Sequence, residues 1–152
     1  MLDRIADGRK VSIEREVFPA MAAEGRLYAM STDDYWLDTG TPLQYRRANL
    51  DLLGGRVHRV EGVAPDAEIA ATASIERSVI GAGSQVAKGA VVHDSVLMPQ
   101  VRVEVDAQIV RSLLGHRVVI GAGAMLDGVV VGDDEVIAPG ASLLDVSIPE
   151  PA

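Results

Sequence analysis

The chain has 152 residues, a formal net charge of −8 and no cysteine, which excludes disulfides, thiolate metal sites and cysteine nucleophiles. Its acidic residues are spread along the chain, and this argues against nucleic-acid binding, which needs a concentrated basic face. The apolar runs are too short to cross a bilayer and the N-terminus has no apolar signal core, so a cytoplasmic protein without a membrane anchor is expected.

In chain order, Ser12 can cap a helix through Glu14, Arg15, Glu16 and Val17, with its acidic residues in the first turn where the helix dipole favours them. Pro19 interrupts that helix and Gly25 ends the segment. Leu27 to Met30 and Tyr35-Trp36-Leu37-Asp38 read as two short strands. Thr39-Gly40 makes a turn, Thr41 caps a second helix, and Pro42 takes its favoured first position. That helix places Leu43, Leu50 and Leu53 on one stripe and stops at Gly54-Gly55. All five aromatic residues (Phe18, Tyr28, Tyr35, Trp36, Tyr45) lie before residue 46, which supports a boundary after this α/β segment.

From Val63 to Ile148 the pattern changes. Val, Ile or Leu occupies sixteen positions whose spacing cycles through six, six and five residues, so every third one is seventeen apart, as in Ile69, Val86, Val103, Ile120 and Ile137. A helix would repeat at about 3.6 residues and an ordinary strand at 2. A short repeat of this kind predicts a solenoid of strands and turns. Three strands and three turns make one coil of a triangular prism, and about five coils at about 4.8 Å give a length of about 24 Å. Two residues before most axial aliphatics sits a small residue, such as Ala73, Ser78, Ser84, Ala90, Ser95, Ala107, Ser112 or Ala124, which must also point inward. Val101, Val118, Val129 and Glu135 depart from that rule. The valines are read as tolerated at corners. Glu135 would be costly to bury, so local fraying or a bent turn near the C-terminal end is expected. Pro149-Glu150-Pro151 can blunt the last strand edge. The organisation expected is 1–55, a linker 56–62, the solenoid 63–148 and a tail 149–152.

The repeats Ile80-Gly81-Ala82-Gly83-Ser84-Gln85 and Ile120-Gly121-Ala122-Gly123-Ala124-Met125 resemble those of the hexapeptide-repeat, left-handed parallel β-helix family. Left-handedness is implied by the resemblance alone, because the general rule for parallel crossovers favours the right-handed form. The fold expected is therefore mainly β: a single-stranded β-helix preceded by a short α/β remnant. Ser12 to Pro19 and Tyr35-Trp36-Leu37-Asp38-Thr39-Gly40-Thr41-Pro42 resemble the C-terminal end of a sugar-phosphate nucleotidyltransferase catalytic domain. With a hexapeptide solenoid attached, the likeness is to the mannose-1-phosphate guanylyltransferases. The family's glycine-rich nucleotide loop does not occur in this sequence, so the chain reads as a C-terminal fragment, inactive alone.

The resemblance implies that Asp38 helps hold a Mg2+ ion in the parent enzyme and that Trp36 lines the sugar pocket or packs against a sheet. Nucleotide and sugar 1-phosphate would be the parent's substrates, with GDP-mannose the product, and no cofactor is expected in the fragment. The solenoid, with few charges on its outer faces, is expected to form a homo-oligomer or to receive an effector. The alternative reading is a hexapeptide-repeat acyltransferase with His93 as base, beside Asp94. His58 falls in the linker, and His93 and His116 occupy non-equivalent places, too few for a three-histidine zinc site.

Overall fold

The computed structural model describes residues 4–5, 7–56 and 61–149. His58 and Glu150-Pro151 lie outside the described residues. Packing divides the chain into two units, Met1–Asp34 and Tyr35–Ala152.

In the first unit the hydroxyl of Ser12 accepts the Arg15 N–H at 3.3 Å, satisfying one of the helix-start donors that have no partner of their own. It opens a π-helical turn, Ile13–Val17, which continues into α1, Phe18–Ala23. Pro19 sits in the first turn of α1, where its missing N–H breaks no helical bond. Gly25, at φ +67°, ends the segment. Leu27–Met30 forms no strand. A strand needs a ladder partner, and the described residues offer none; Tyr28 and Met30 stay 89% and 90% exposed.

The second unit opens with Tyr35–Asp38, which for the same reason is irregular rather than a strand. The hydroxyl of Thr41 then accepts the Gln44 N–H at 3.2 Å and caps α2, Pro42–Leu53. The rest is a parallel β-solenoid of five coils, consistent with a left-handed β-helix. Its first face is a sheet of β1 (Glu68–Ile69), β4 (Gln85–Val86), β7 (Arg102–Val103), β10 (Val119–Ile120) and β13 (Val136–Ile137). The second face is β2 (Ser74–Glu76), β5 (Val91–His93), β8 (Gln108–Val110), β11 (Met125–Asp127) and β14 (Ser142–Leu144). The third is β3 (Val79–Ile80), β6 (Val96–Leu97), β9 (Leu113–Leu114), β12 (Val130–Val131) and β15 (Ser147–Ile148). Each pair is in register at seventeen residues, as in Ile69↔Val86 and Val86↔Val103. The axial column from Ile80 to Ile137 is buried.

The inward corner residues form three columns, each solving its hydrogen bonds differently. At the alanine column the turn closes on itself: Ala73, Ala90, Ala107, Ala124 and Ala141 each donate the backbone N–H to a carbonyl three residues back. At the column after the five-residue step the coil is too short for that bond, and serine replaces it. Ser95 donates its N–H to Ser78 Oγ at 3.1 Å, Ser112 to Ser95 Oγ at 3.0 Å, and Val129 to Ser112 Oγ at 3.0 Å. Each hydroxyl donates in turn to the carbonyl two residues back, at 2.7–2.8 Å. The ladder therefore pairs the buried N–H groups of Ser95, Ser112 and Val129. In the remaining column Ser84 does the same for Val101 at 3.2 Å. Val101, Val118 and Val129 are fully buried, as expected of tolerated corners. Glu135 is half-buried, but its carbonyl accepts the Val119 N–H at 3.0 Å, so the backbone there does not fray.

The outward residues of the third face are apolar in its first four strands, Val79, Val96, Leu113 and Val130, and polar only at Ser147 in the last. Helix α2 lies against β3 and β9 of this sheet. Val96, on β6 between them, points outward yet is 1% exposed. Leu53, at the end of the helix, sits against Gly62, where an added Cβ would come within 2.8 Å of it. The expected stripe on α2 holds for Leu50 and Leu53, while Leu43 stays 66% exposed. By packing, α2 thus belongs with the solenoid rather than with residues 1–34.

Candidate functional site

Asp38 is exposed, and its Oδ1 accepts the Gly40 N–H at 3.1 Å. This bond fixes the turn into α2. Mg2+ takes one or two carboxylates together with phosphate oxygens and water. Asp38 fits one such ligand position, but no group of three His, Cys, Asp or Glu among the described residues could hold a metal. The donor set here is a single ligand rather than a site. Trp36 is 80% exposed and is not buried against any described element of its unit.

The neighbouring Tyr35 is anchored instead. Its hydroxyl donates to Asp51 Oδ2 at 2.7 Å, and the Arg56 guanidinium lies 5.3 Å from the ring centre, within cation–π range. The Asp51 hydrogen bond, with desolvation, raises the phenol above its ordinary pKa. The 35–38 segment is thereby tied to the last turn of α2, and Asp38 is carried just ahead of the N-terminal end of that helix.

His93 lies on the second face with Nδ1 3.5 Å from Asp94 Oδ2 and Nε2 3.9 Å from Glu76 Oε2. It has carboxylate neighbours, but its imidazole is not held in a close hydrogen bond. His116 is elsewhere on the prism; its backbone N–H donates to Asp133 Oδ1 at 2.7 Å.

Sequence reasoning did not anticipate the junction between α2 and the solenoid. Arg46 Nη1 donates to the Asp94 carbonyl at 2.6 Å, locking the helix to the corner that joins the second and third faces. A cleft of about 470 Å³ opens there, lined by Arg46, Arg47, Arg77 and Arg111 with Asp51 and Asp94. Residues 77, 94 and 111 stack at the seventeen-residue register, and all three take left-handed backbone, at φ +43°, +49° and +48°. Arg77 Nε is 2.9 Å from Asp94 Oδ1, without the alignment of a hydrogen bond. Arg111 Nε donates to Asp127 Oδ1 at 2.7 Å, which raises the guanidinium pKa further and lowers that of Asp127. The signal for this site was the apolar outward column of the third face, which marks where a helix must dock.

A family profile described as the GMPPB C-terminal domain matches residues 59–148. A mannose-1-phosphate guanylyltransferase of Mycobacterium tuberculosis is 36% identical over 115 residues, covering 68% of this chain and 32% of that protein. A probable mannose-1-phosphate guanylyltransferase of Oryza sativa is 33% identical over 113 residues, 68% of this chain and 30% of its own. A mannose-1-phosphate guanyltransferase of Schizosaccharomyces pombe is 42% identical over 66 residues, 43% of this chain and 18% of its own. The matched region spans about a third or less of these relatives. Among solved structures, perosamine N-acetyltransferase of Caulobacter crescentus aligns at 16% identity and a TM-score of 0.27, over 68% of this chain and 63% of that one. A superposition that loose carries no argument.

Proposed function

The chain belongs to the GMPPB C-terminal domain family, and from that membership we propose that it is the C-terminal part of a nucleotidyltransferase making an NDP-sugar. The product proposed is GDP-mannose, formed with pyrophosphate from GTP and mannose 1-phosphate. The observation that carries this reading is the 36% identity to the Mycobacterium tuberculosis enzyme. In such a reaction a sugar-phosphate oxygen attacks the α-phosphorus of the nucleotide and pyrophosphate leaves, so developing charge must be neutralised. A Mg2+ ion, where bound, supplies that neutralisation. The role proposed for Asp38 is to give it one carboxylate, oriented by the Gly40 N–H. The proposed role of Trp36 is to pack against, or line the sugar pocket of, the larger catalytic domain.

For the 152 residues themselves the proposed role is assembly: a homo-oligomer of cytoplasmic protein formed through the β-helix, inactive without the catalytic half. What supports it is the division of labour inside the unit, since the inward positions of residues 63–148 serve packing and backbone hydrogen bonding, which leaves the outer faces for contacts between copies. The test is pyrophosphate release by the full-length protein carrying this chain, over a panel of nucleotides and sugar 1-phosphates with Mg2+. The 152-residue chain is the paired control, and light scattering reads its assembly. Activity with GTP and mannose 1-phosphate in the full-length protein alone is the expected result. Silence from both, or a monomer at tens of micromolar, overturns the corresponding half of the proposal.

A further inference from the structure

We propose that the cleft between α2 and the solenoid corner is an anion site that takes the phosphate or diphosphate group of a small molecule. Four guanidinium groups line it, against the carboxylates of Asp51 and Asp94, on a chain whose net charge is −8. Such an excess of positive charge in an otherwise acidic protein is a local arrangement, not a consequence of composition.

The arginines are also incompletely used. Arg46 is half-buried and donates to a backbone carbonyl; among the described residues no carboxylate lies within ion-pair distance of it. A half-buried cation without a counter-charge is costly, and an incoming oxyanion removes that cost. Arg111 engages Asp127 and Arg77 approaches Asp94 through Nε, which leaves their terminal nitrogens to offer the planar fork that fits phosphate oxygens. Arg47 has only a long contact, 3.7 Å, to an Asp51 that also receives the Tyr35 hydroxyl. Leu37, Leu43 and Leu50 complete the wall and give the remainder of a ligand an apolar surface. Because the arginines come from both α2 and the coils, a bound diphosphate would strap the helix to the solenoid.

The test is calorimetric titration of the 152-residue chain with pyrophosphate, inorganic phosphate and sulfate at constant ionic strength. No turnover is involved, so its outcome is independent of the transferase reading. Pyrophosphate is expected to bind at least about tenfold more tightly than sulfate, and R111Q to weaken it by about tenfold or more. R77Q, whose side chain is 70% exposed and so has little part in folding, is expected to do the same. K88Q, at a turn away from the cleft, is expected to bind as the unaltered chain does. Absence of binding, equal binding of pyrophosphate and sulfate, or equal losses in R111Q and K88Q would overturn the proposal. Tighter binding of pyrophosphate than of inorganic phosphate assigns the diphosphate group; equal binding assigns a single phosphate.

Discussion

The serine ladder gives the sharpest test of how this solenoid closes its short corner. Replacing Ser95 with Ala keeps the side chain small and removes only the hydroxyl, so no steric cost enters at a position that is 0% exposed. Three hydrogen bonds are removed, the weakest being the 3.4 Å bond from the Ser95 hydroxyl to the Ile109 carbonyl. The His93 carbonyl loses the Ser95 hydroxyl but keeps the Arg111 N–H at 3.0 Å. The Ser112 N–H, whose acceptor is Ser95 Oγ at 3.0 Å, is left buried with nothing to bond. One orphaned buried donor costs about 1–3 kcal/mol. For a domain of this size each kcal/mol lowers the melting temperature by roughly 2–4 °C. Denaturant unfolding followed by circular dichroism measures the cost, and hydrogen exchange locates it. The Ser112 amide should lose protection, while the Ala107 amide, bonded to the Glu104 carbonyl within its own turn, should not. A change below about 0.5 kcal/mol, typical of neutral surface substitutions, with Ser112 still protected, would show that the corner does not depend on the hydroxyl.

Two glycines of the last coils separate close approach from backbone conformation. Gly121→Ala would put a Cβ 2.4 Å from Pro139 N and 2.8 Å from the Ala138 carbonyl carbon; backbone cannot move aside, so a loss of about 3 kcal/mol or more is expected by thermal melting. Gly123→Ala meets nothing within 4 Å but must hold φ +68°, so only the left-handed penalty of about 1–2 kcal/mol is expected. For pH, Asp134 is held below its ordinary pKa by its hydrogen bond to Arg117. A depressed carboxylate contributes stability above its unfolded value of about 3.9, and loses it as pH falls through the lower folded value. D134N should therefore differ from the unaltered chain by a constant amount from neutral pH down to about pH 5, and the gap should close below about pH 4, read by urea titration at each pH.

How much of this was legible in the sequence depends on whether a residue's partner lies at a fixed interval. The axial aliphatics and the alanine corners repeat within a coil, so a period alone places them. The cap at Thr41 and the stop at Gly54 are local for the same reason. Leu27–Met30 and Tyr35–Asp38 were misread because an extended run becomes a strand only through a neighbour that the described chain does not provide. The distinction between alanine and serine corners was visible in the letters at 73, 90, 107, 124 and 141 against 78, 95 and 112. Its meaning was not, because it lies in which acceptor the backbone N–H reaches.

The arginine cleft shows the limit most clearly. Arg77 and Arg111 are two coils apart, and only the seventeen-residue register stacks them; Arg46 and Arg47 join them only because α2 docks on the third face. That docking had a sequence signature, since the outward positions 79, 96, 113 and 130 are Val, Val, Leu and Val. On the first face the equivalent positions 68, 85, 102, 119 and 136 are Glu, Gln, Arg, Val and Val, so the coils nearest the helix are polar there. A prism with one apolar outer face must cover it, and the amphipathic helix ten residues upstream of the first coil is the nearest element able to do so. The Arg46 bond to the Asp94 carbonyl then sets where along the face the helix stops. Placing the helix places the charges, so the binding surface proposed here follows from packing on the third face rather than from any motif.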